Sequence, residues 1–389
     1  MKSKFLNIFI FIFLVFSLVG CAGEMGLQDP QGEQWLSSYE IFLKHYPEYE
    51  GTEKDWITDV AMGNTCNLFG HEWDEGIITT EPIIGSEGEK TYTCANCGGH
   101  KYEVLPKIEV GNGEIYEIDG VKYVNYGSYP QTHVGDAALV TELNKLTTKN
   151  SRGYYEYNGK EYAKIKTKPD QYGSTIYTYS DGSTVNRNVV EWFKVEPIKW
   201  RIISENTDGS YQLYSEYILD AISYYDDYYV RKINEKDIYP YNYEYSNIRA
   251  WLNGYNGTDY KITDYTNKGF YNLAFKDNEK GAIITTEEDT FDKIYLLSYF
   301  DIKNSNYGFT NDEWRDKSRY AKLTDFAKAV GASWNTSPEH LDNGIYWLSS
   351  PYLRNNICAY CVFYDGRVGD QGVEDAFVGV RVACNIKLE

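Results

Sequence analysis

The 389-residue chain contains no GxGxxG loop, no P-loop and no HExxH pair, so dinucleotide binding, phosphate cradling and zinc-protease chemistry have no sequence handle in it. Basic residues are also short: 38 Lys plus Arg stand against 57 Asp plus Glu, for a net charge of −19. Nucleic-acid binding rests on cations that neutralise phosphates, so nucleic acid is not expected as a partner. Proline is scarce at 10, no short period repeats, and 42% of residues are hydrophobic, which excludes collagen-like, low-complexity and largely disordered chains. No apolar run reaches the roughly 20 residues that a membrane-spanning helix needs.

The run that does exist is a leader. Lys2 and Lys4 precede an apolar stretch from Phe5 to Val19, broken only by Asn7 and Ser17, and residues 1–20 have the layout of a signal peptide. It ends in Leu18-Val19-Gly20-Cys21, which resembles a bacterial lipobox. That resemblance implies cleavage before Cys21, diacylation of its thiol, further acylation such as palmitate at the new amino group, and a lipid-anchored, extracytoplasmic protein at the cell membrane. Two or three acyl chains anchor stably where one is marginal. Loss of both leader lysines leaves 36 basic residues against 57 acidic ones, net −21, so the lipid and not surface charge is expected to hold the chain at the membrane.

Residues 21–33 read as a small, polar tether with three Gly and one Pro. From Gln34, Trp35, Tyr39, Phe42, Leu43 and Tyr46 fall at helical spacing up to Pro47, giving a short helical segment within 34–61. The remainder from about residue 108 is Tyr-rich, with strand candidates at Glu117–Tyr126, Lys199–Ile203, Tyr211–Tyr214, Ile294–Ser298, Tyr346–Leu348, Ala359–Tyr364 and Val378–Ile386. Helices are expected at Ser246–Asn253 and Lys322–Val330, and the polar stretch 151–190 reads as an inserted hairpin or long loop. The mixture argues an α+β fold.

Residues 62–107 concentrate Cys and His. Cys66, His71, Cys94 and Cys97 supply thiolate and imidazole ligands in two pairs, and the Gly98-Gly99 step allows the tight turn that puts two sulfurs on one tetrahedral ion. So short a segment buries little core, and a structural zinc supplies the missing folding free energy. His100 is a spare imidazole, and a Cys94–Cys97 or Cys66–Cys94 disulfide or free thiols are the competing readings. The wider pattern from His71-Glu72-Trp73-Asp74 to Leu105-Pro106 resembles the short zinc-ribbon-like repeat of Gram-positive surface proteins. It departs from that repeat at Pro82-Ile83-Ile84, where a further Cys is common, leaving Cys66 to complete the set.

Seven ordered motifs mark the large C-terminal region, among them Pro197-Ile198-Lys199-Trp200-Arg201, Asn247-Ile248-Arg249-Ala250-Trp251-Leu252, Tyr346-Trp347-Leu348-Ser349-Ser350-Pro351 and Gly379-Val380-Arg381-Val382-Ala383. Together they resemble a domain family of unknown function from Gram-positive exported proteins, distantly similar to the C-type-lectin-like fold of formylglycine-generating enzymes. This implies a C-type-lectin-like domain over 108–389. Trp200, Trp251 and Trp347 read as core residues needing N–H partners, and Arg201, Arg249 and Arg381 as structural forks for carboxylates or carbonyls. Alternation in Ala359–Tyr364, the Asp365-Gly366 turn and the return at Arg367–Gly369 form a hairpin. In lectin-like folds the late hairpin lines the binding face, which makes Tyr352, Arg354, Asn355, Asn356, Tyr364, Asp365, Arg367 and Asp370 the candidate ligand surface.

Enzyme chemistry finds less support. The Arg-Gly-Gly-Ser-Trp setting of a formylglycine-type oxidase is missing, and Cys358-x-x-Cys361 lies in a β-rich run rather than at the start of a helix. A disulfide from Cys361 or Cys358 to Cys384 is expected instead. Glu196-Pro197-Ile198 and Trp334-Asn335-Thr336 only faintly echo lectin calcium motifs, so calcium is not supported; acidic runs such as Asp226-Asp227 and Glu287-Glu288-Asp289 read as solvated faces. His133 and His340 have no companion Ser or Asp at a spacing that marks a triad. The 39 Tyr suit either sugar stacking and protein docking or half-exposed strand positions. The expectation is a binding or adhesion protein for a glycan or protein ligand, with an extracellular enzyme using the same domain, or a purely structural envelope component, as alternatives.

Overall fold

A computed structural model describes residues 36–84, 86–170, 177–256, 263–285, 292–310 and 315–388. The leader, Cys21, the tether and the Glu287–Asp289 run lie outside the described residues. No helix among the described residues is long and apolar enough to cross a membrane. The chain divides into two compact units, 1–109 and 110–389.

The first unit has three helices, α1 (Ser38–His45), α2 (Glu53–Met62) and α3 (Thr65–Phe69), then an antiparallel sheet of β1 (Ile77–Thr80), β2 (Gly88–Thr93) and β3 (His100–Leu105), with β2 central. Both longer helices start with reciprocal caps: Ser37 with Glu40, and Thr52 with Asp55. Their apolar faces meet α3 around the buried Phe42, Trp56 and Leu68, wrapped by Tyr39, Leu43, Tyr46 and Tyr49. The helix expected up to Pro47 is α1, and α2 is a further helix that starts within 34–61. The boundary expected after residue 61 falls in the last turn of α2, because that helix runs on to its left-handed cap at Gly63, φ 69°.

The second unit is mixed α+β and mostly β. Its strands in chain order are β4 (Ile115–Ile118), β5 (Val121–His133), β6 (Tyr155–Tyr157), β7 (Lys160–Lys166), β8 (Val190–Glu205), β9 (Tyr211–Ser215), β10 (Asp220–Ala221), β11 (Arg231–Ile233), β12 (Lys236–Ile238), β13 (Ile283–Ile284), β14 (Ile294–Tyr295), β15 (Tyr346–Pro351), β16 (Cys358–Val362), β17 (Val368–Gly372), β18 (Gly379–Val380) and β19 (Ala383–Ile386). The larger sheet runs β13-β19-β9-β8-β5-β4, with β14 on β19 and the β6–β7 hairpin joined through β8. The second sheet runs β10-β18-β15-β16-β17, antiparallel except where β15 meets β18. Helices α4 (Ala137–Leu143), α5 (Asn247–Asn253), α6 (Phe270–Ala274), α7 (Asp277–Lys280) and α8 (Asp325–Val330) pack among them.

Four local readings are refined. The run 117–126 is two strands, because Asp119 (φ 51°) and Gly120 (φ 78°) form a two-residue turn of the kind that closes hairpins. The run 378–386 is also two strands: Val380 pairs with Asp220 in the smaller sheet and Ala383 with Tyr214 in the larger. The stretch 151–190 carries the β6–β7 hairpin, turned by Asn158-Gly159, and its Tyr154, Tyr162, Tyr177, Tyr179 and Val185 are buried, so it belongs to the core despite its polar composition. Helix α8 starts later than expected, at the Thr324 cap, because Lys322 bridges to Asn343.

Trp200 and Trp347 are fully buried, and their indole N–H groups donate to the carbonyls of Tyr126 (2.8 Å) and Ile222 (2.9 Å). Arg201 pairs with Glu216 at 3.0 Å and Arg249 with Asp292 at 2.7 Å. The expected disulfide to Cys384 does not form: Cys358, Cys361 and Cys384 are buried free thiols. Cys361 stands between Trp347 and Gly369 in one sheet, and Cys384 between Leu213 and Ile294 in the other, so each thiol is fixed in a different β-ladder.

Two glycines of like conformation give a direct test of the late hairpin. Gly366 (φ +75°) turns β16 into β17 with the Asp316 carbonyl 2.2 Å from where a Cβ would sit, whereas Gly120 (φ +78°) has open space. Gly120→Ala is expected to cost about 1 kcal/mol, the left-handed penalty alone. Gly366→Ala is expected to cost about 3 kcal/mol or more, since the clash adds to it. Denaturant titration of both variants checks the difference.

Candidate metal centre and ligand pocket

The first unit brings Cys66, His71, Cys94 and Cys97 together, their ligand atoms all within 4.8 Å of one another, and this set can bind a metal ion. Each donor is placed by local structure. Cys66 sits on α3 beside the buried Leu68. His71 follows Gly70 (φ 78°), and its ring stacks on Trp73 at 4.8 Å. Cys94 and Cys97 flank the turn between β2 and β3, where Gly98 N–H donates to the Cys94 carbonyl (2.9 Å) and adopts φ 69°. Asp74 braces the turn by accepting from the N–H groups of Gly76 (2.9 Å) and Thr93 (3.0 Å).

The distances suit a tetrahedral, thiophilic cation. Cys66 and Cys94 sulfurs are 3.5 Å apart, and Cys97 Sγ is 3.5 Å from His71 Nδ1. Metal–ligand bonds of about 2.3 Å to sulfur and 2.0–2.1 Å to nitrogen give tetrahedral edges of about 3.8 and 3.6 Å. A bonded sulfur pair lies at about 2.05 Å, so these thiols are not disulfides. Burial opposes the Cys94 thiolate, but backbone N–H groups of Cys97 and Asn96, with help from His71 and Cys66, bring its pKa down to about 6. Burial and the neighbouring Cys97 and Cys94 push Cys66 up to about 12. His100 stands outside the cluster, against Thr93 at 3.4 Å. An ion held by all four protein donors would have no open position for an activated water.

In the second unit, the hairpin β16–β17 forms one wall of a hollow of about 540 Å³. Four of the eight expected surface residues line it: Tyr352, Arg354, Arg367 and Asp370. The lining excludes the other four. Asn355 and Asn356 are exposed on the preceding loop. Tyr364 lies against His340 at 5.7 Å, and Asp365 is buried, accepting from the Arg367 N–H at 3.3 Å. Tyr299, Lys303, Tyr360 and Phe363 complete the walls and were not anticipated. The sequence held a signal for Tyr360: with Ala359 and Cys361 buried, alternation turns it to the other face. Tyr360 is the hub of the aromatic wall, 4.6 Å from Tyr299 and 5.2 Å, perpendicular, from Tyr352. The Lys303 ammonium lies 4.2 Å over the Tyr299 ring, and the Arg367 guanidinium 4.9 Å over Phe363. Burial pushes the Cys358 thiol, beside Asp370, up to about 11, so it is held protonated.

A second hollow, about 630 Å³, opens at the β8–β9 turn. Several of its polar groups are already committed: Asp208 to Ser210, and the Tyr295 hydroxyl between Gln212 and Asn385. His133 does acquire companions in space, Asp181 at 2.9 Å and Ser183 at 3.3 Å. Both meet the same ring nitrogen, Nδ1, and the Ser183 hydroxyl donates to Asp181, so the serine has no general base and the trio braces a loop. Among the closely spaced tyrosines at 224–229, Tyr224 and Tyr225 are core, while Tyr228 and Tyr229 are exposed and bonded to each other at 3.0 Å.

A family model described as a domain of unknown function, DUF6273, matches residues 208–388, which include the aromatic hollow and exclude the metal cluster. No curated protein and no solved structure matches the chain.

The metal cluster predicts a stoichiometry and a folding dependence. Purified protein is expected to carry one thiophilic ion per chain by elemental analysis. Cys97→Ser is expected to lower affinity by more than 100-fold, and chelation to abolish amide protection across β2–β3, because binding free energy here is folding free energy. Unchanged hydrogen exchange after complete demetallation would refute the assignment.

Proposed function

We propose that the chain is a lipid-anchored, extracytoplasmic binding protein, held at the membrane through acylated Cys21. In this reading a zinc ribbon completed by Cys66 braces the first unit, and a C-type-lectin-like second unit presents its late hairpin to a glycan or protein ligand. The observation that carries the proposal is the aromatic hollow at the β17 edge of the smaller sheet. Its lining offers three tyrosine rings and three cations with a single carboxylate, Asp370. Hydrolysis of a glycoside uses a pair of carboxylates, one on each side of the scissile bond, so this lining favours holding a ligand over cleaving it. Two large apolar side chains from the same loops, Phe300 and Leu353, are 78% and 80% exposed, as expected where a surface meets a partner. The four-donor metal set and the short leader fit the remaining parts of the reading.

Two measurements test it. In cells fed an alkyne fatty acid, the wild-type protein is expected to be labelled and to sediment with membranes, and Cys21→Ser to lose both properties. On a glycan array, the detergent-solubilised protein is expected to bind a subset of saccharides, with Tyr360→Ala weakening binding about tenfold, the loss of one well-placed ring. Unlabelled wild-type protein would overturn the anchor, and hydrolysis of a bound glycan would overturn the binding role.

A further inference from the structure

We propose that the hollow beside the β16–β17 hairpin takes an anionic saccharide, a pyranose ring bearing a carboxylate or phosphate group. The inference rests on the binding reading above and specifies its ligand.

Charge is the first argument. Basic residues number 38 among 389, yet three of the ten residues lining the hollow are basic, Lys303, Arg354 and Arg367, against one acid, Asp370. A net positive lining in so acidic a chain is a local feature rather than a sample of the surface. The two arginines are also available, whereas Lys303 is already engaged with Tyr299. Arg152, Arg201 and Arg249 are each committed to a carboxylate, Glu161, Glu216 and Asp292. Neither Arg354 nor Arg367 has an ion pair with a described carboxylate, and both are exposed. A guanidinium fork matches the two oxygens of a carboxylate or phosphate with parallel N–H donors.

Shape and ring chemistry supply the second argument. Tyr299 and Tyr360 stand 4.6 Å apart at 34°, and Tyr352 meets Tyr360 at 90°, giving a cornered wall of ring faces with hydroxyls at its edge. The C–H face of a pyranose packs on such a ring while its hydroxyls bond to tyrosine oxygens. A volume of about 540 Å³ falls within the roughly 300–1,000 Å³ of small-ligand sites. Burial, with Tyr299 and Tyr352, raises the Tyr360 hydroxyl's pKa, and Arg354 and Lys303 lie near enough to oppose that rise, so cations and ring converge on one spot. A flat uncharged sugar would leave the two arginines without a counterpart, and a bare anion would leave the rings without one.

The test uses the full-length protein in detergent, titrated by calorimetry with glucuronate, glucose 6-phosphate, glucose and inorganic phosphate. At low salt, glucuronate or glucose 6-phosphate is expected to bind at least tenfold more tightly than glucose, and more tightly than inorganic phosphate; the stronger of the two identifies the anionic group. The preference is expected to shrink as salt is raised. Arg354→Ala and Arg367→Ala are each expected to cost about tenfold for the charged sugars and little for glucose. Tyr360→Ala is expected to weaken every saccharide. Equal affinity for glucose, or a double Arg variant that still prefers the charged sugars, would overturn the anionic assignment while leaving a glycan-binding role standing. Inorganic phosphate matching glucose 6-phosphate would overturn the saccharide part. Failure of all three sugars, alongside an empty glycan array, would remove the glycan-binding reading itself. Both arginines are exposed, so near-ultraviolet circular dichroism is expected to match the wild type in each variant.

Discussion

One buried guanidinium governs how the second unit is assembled. Arg381 is fully buried where the chain leaves β18 in the smaller sheet and enters β19 in the larger. A charge in that position is costly unless hydrogen bonds and ring faces offset its desolvation; two of its nitrogens and its face are used, while Nη2 has no hydrogen-bond partner among the described residues. Its Nε donates to the Ser215 carbonyl at 2.8 Å, and the group lies 4.1 Å over the Tyr214 ring. Ser215 answers by accepting from the Val382 N–H through its hydroxyl and donating its own N–H to the Val382 carbonyl. Both sheets are therefore tied at a single backbone crossing.

The tie extends to the hollow. Arg381 Nη1 reaches the Tyr346 hydroxyl at 3.5 Å, and that hydroxyl donates to the Arg319 carbonyl at 2.8 Å. Arg319 is itself fully buried, and its guanidinium bonds the carbonyls of Ile302 (2.9 Å), Thr310 (3.0 Å) and Gly366 (3.2 Å). Ile302 precedes Lys303, and Gly366 precedes Arg367. Two walls of the hollow that are far apart in sequence thus hang from one side chain, which is buried where the pocket cations are not. The Gly366 position has no room for a Cβ because the Asp316 backbone, which caps the turn leading to Arg319, packs directly against it.

What could be read from the sequence follows from how local each feature is. Cys94 and Cys97 share one turn, and Cys66 and His71 lie five residues apart, so the metal set needs only those two pairs to meet. The Asp365-Gly366 turn and the buried tryptophans were legible for the same reason. Alternation failed where it runs on through a turn: Ile118, Val121 and Tyr123 keep an apolar rhythm across Asp119-Gly120, hiding the break. Facts set by which strand pairs with which were not legible at all. Cys361 and Cys384 look like partners until their ladders are known, and Asp181 reaches His133 only because the 151–190 stretch folds into the core. The pocket was half-legible because β16 and β17 are neighbours in sequence, whereas Tyr299 and Lys303 arrive through the Arg319 ties.

The strong negative charge of the chain is compatible with an anion-seeking hollow because the two act over different distances. At physiological ionic strength fields decay over about 8 Å, so most of the distributed acidic charge is screened at the pocket. There the contact terms decide: three cations against Asp370, beside aromatic rings whose faces are themselves slightly negative, Tyr299 drawing Lys303 and Phe363 drawing Arg367 into place. In the proposed reading the acidic surround acts as a filter. It opposes non-specific adhesion of anionic polymers along the whole surface, and it leaves productive contact to ligands that bring a ring for the tyrosines as well as a charge for the arginines.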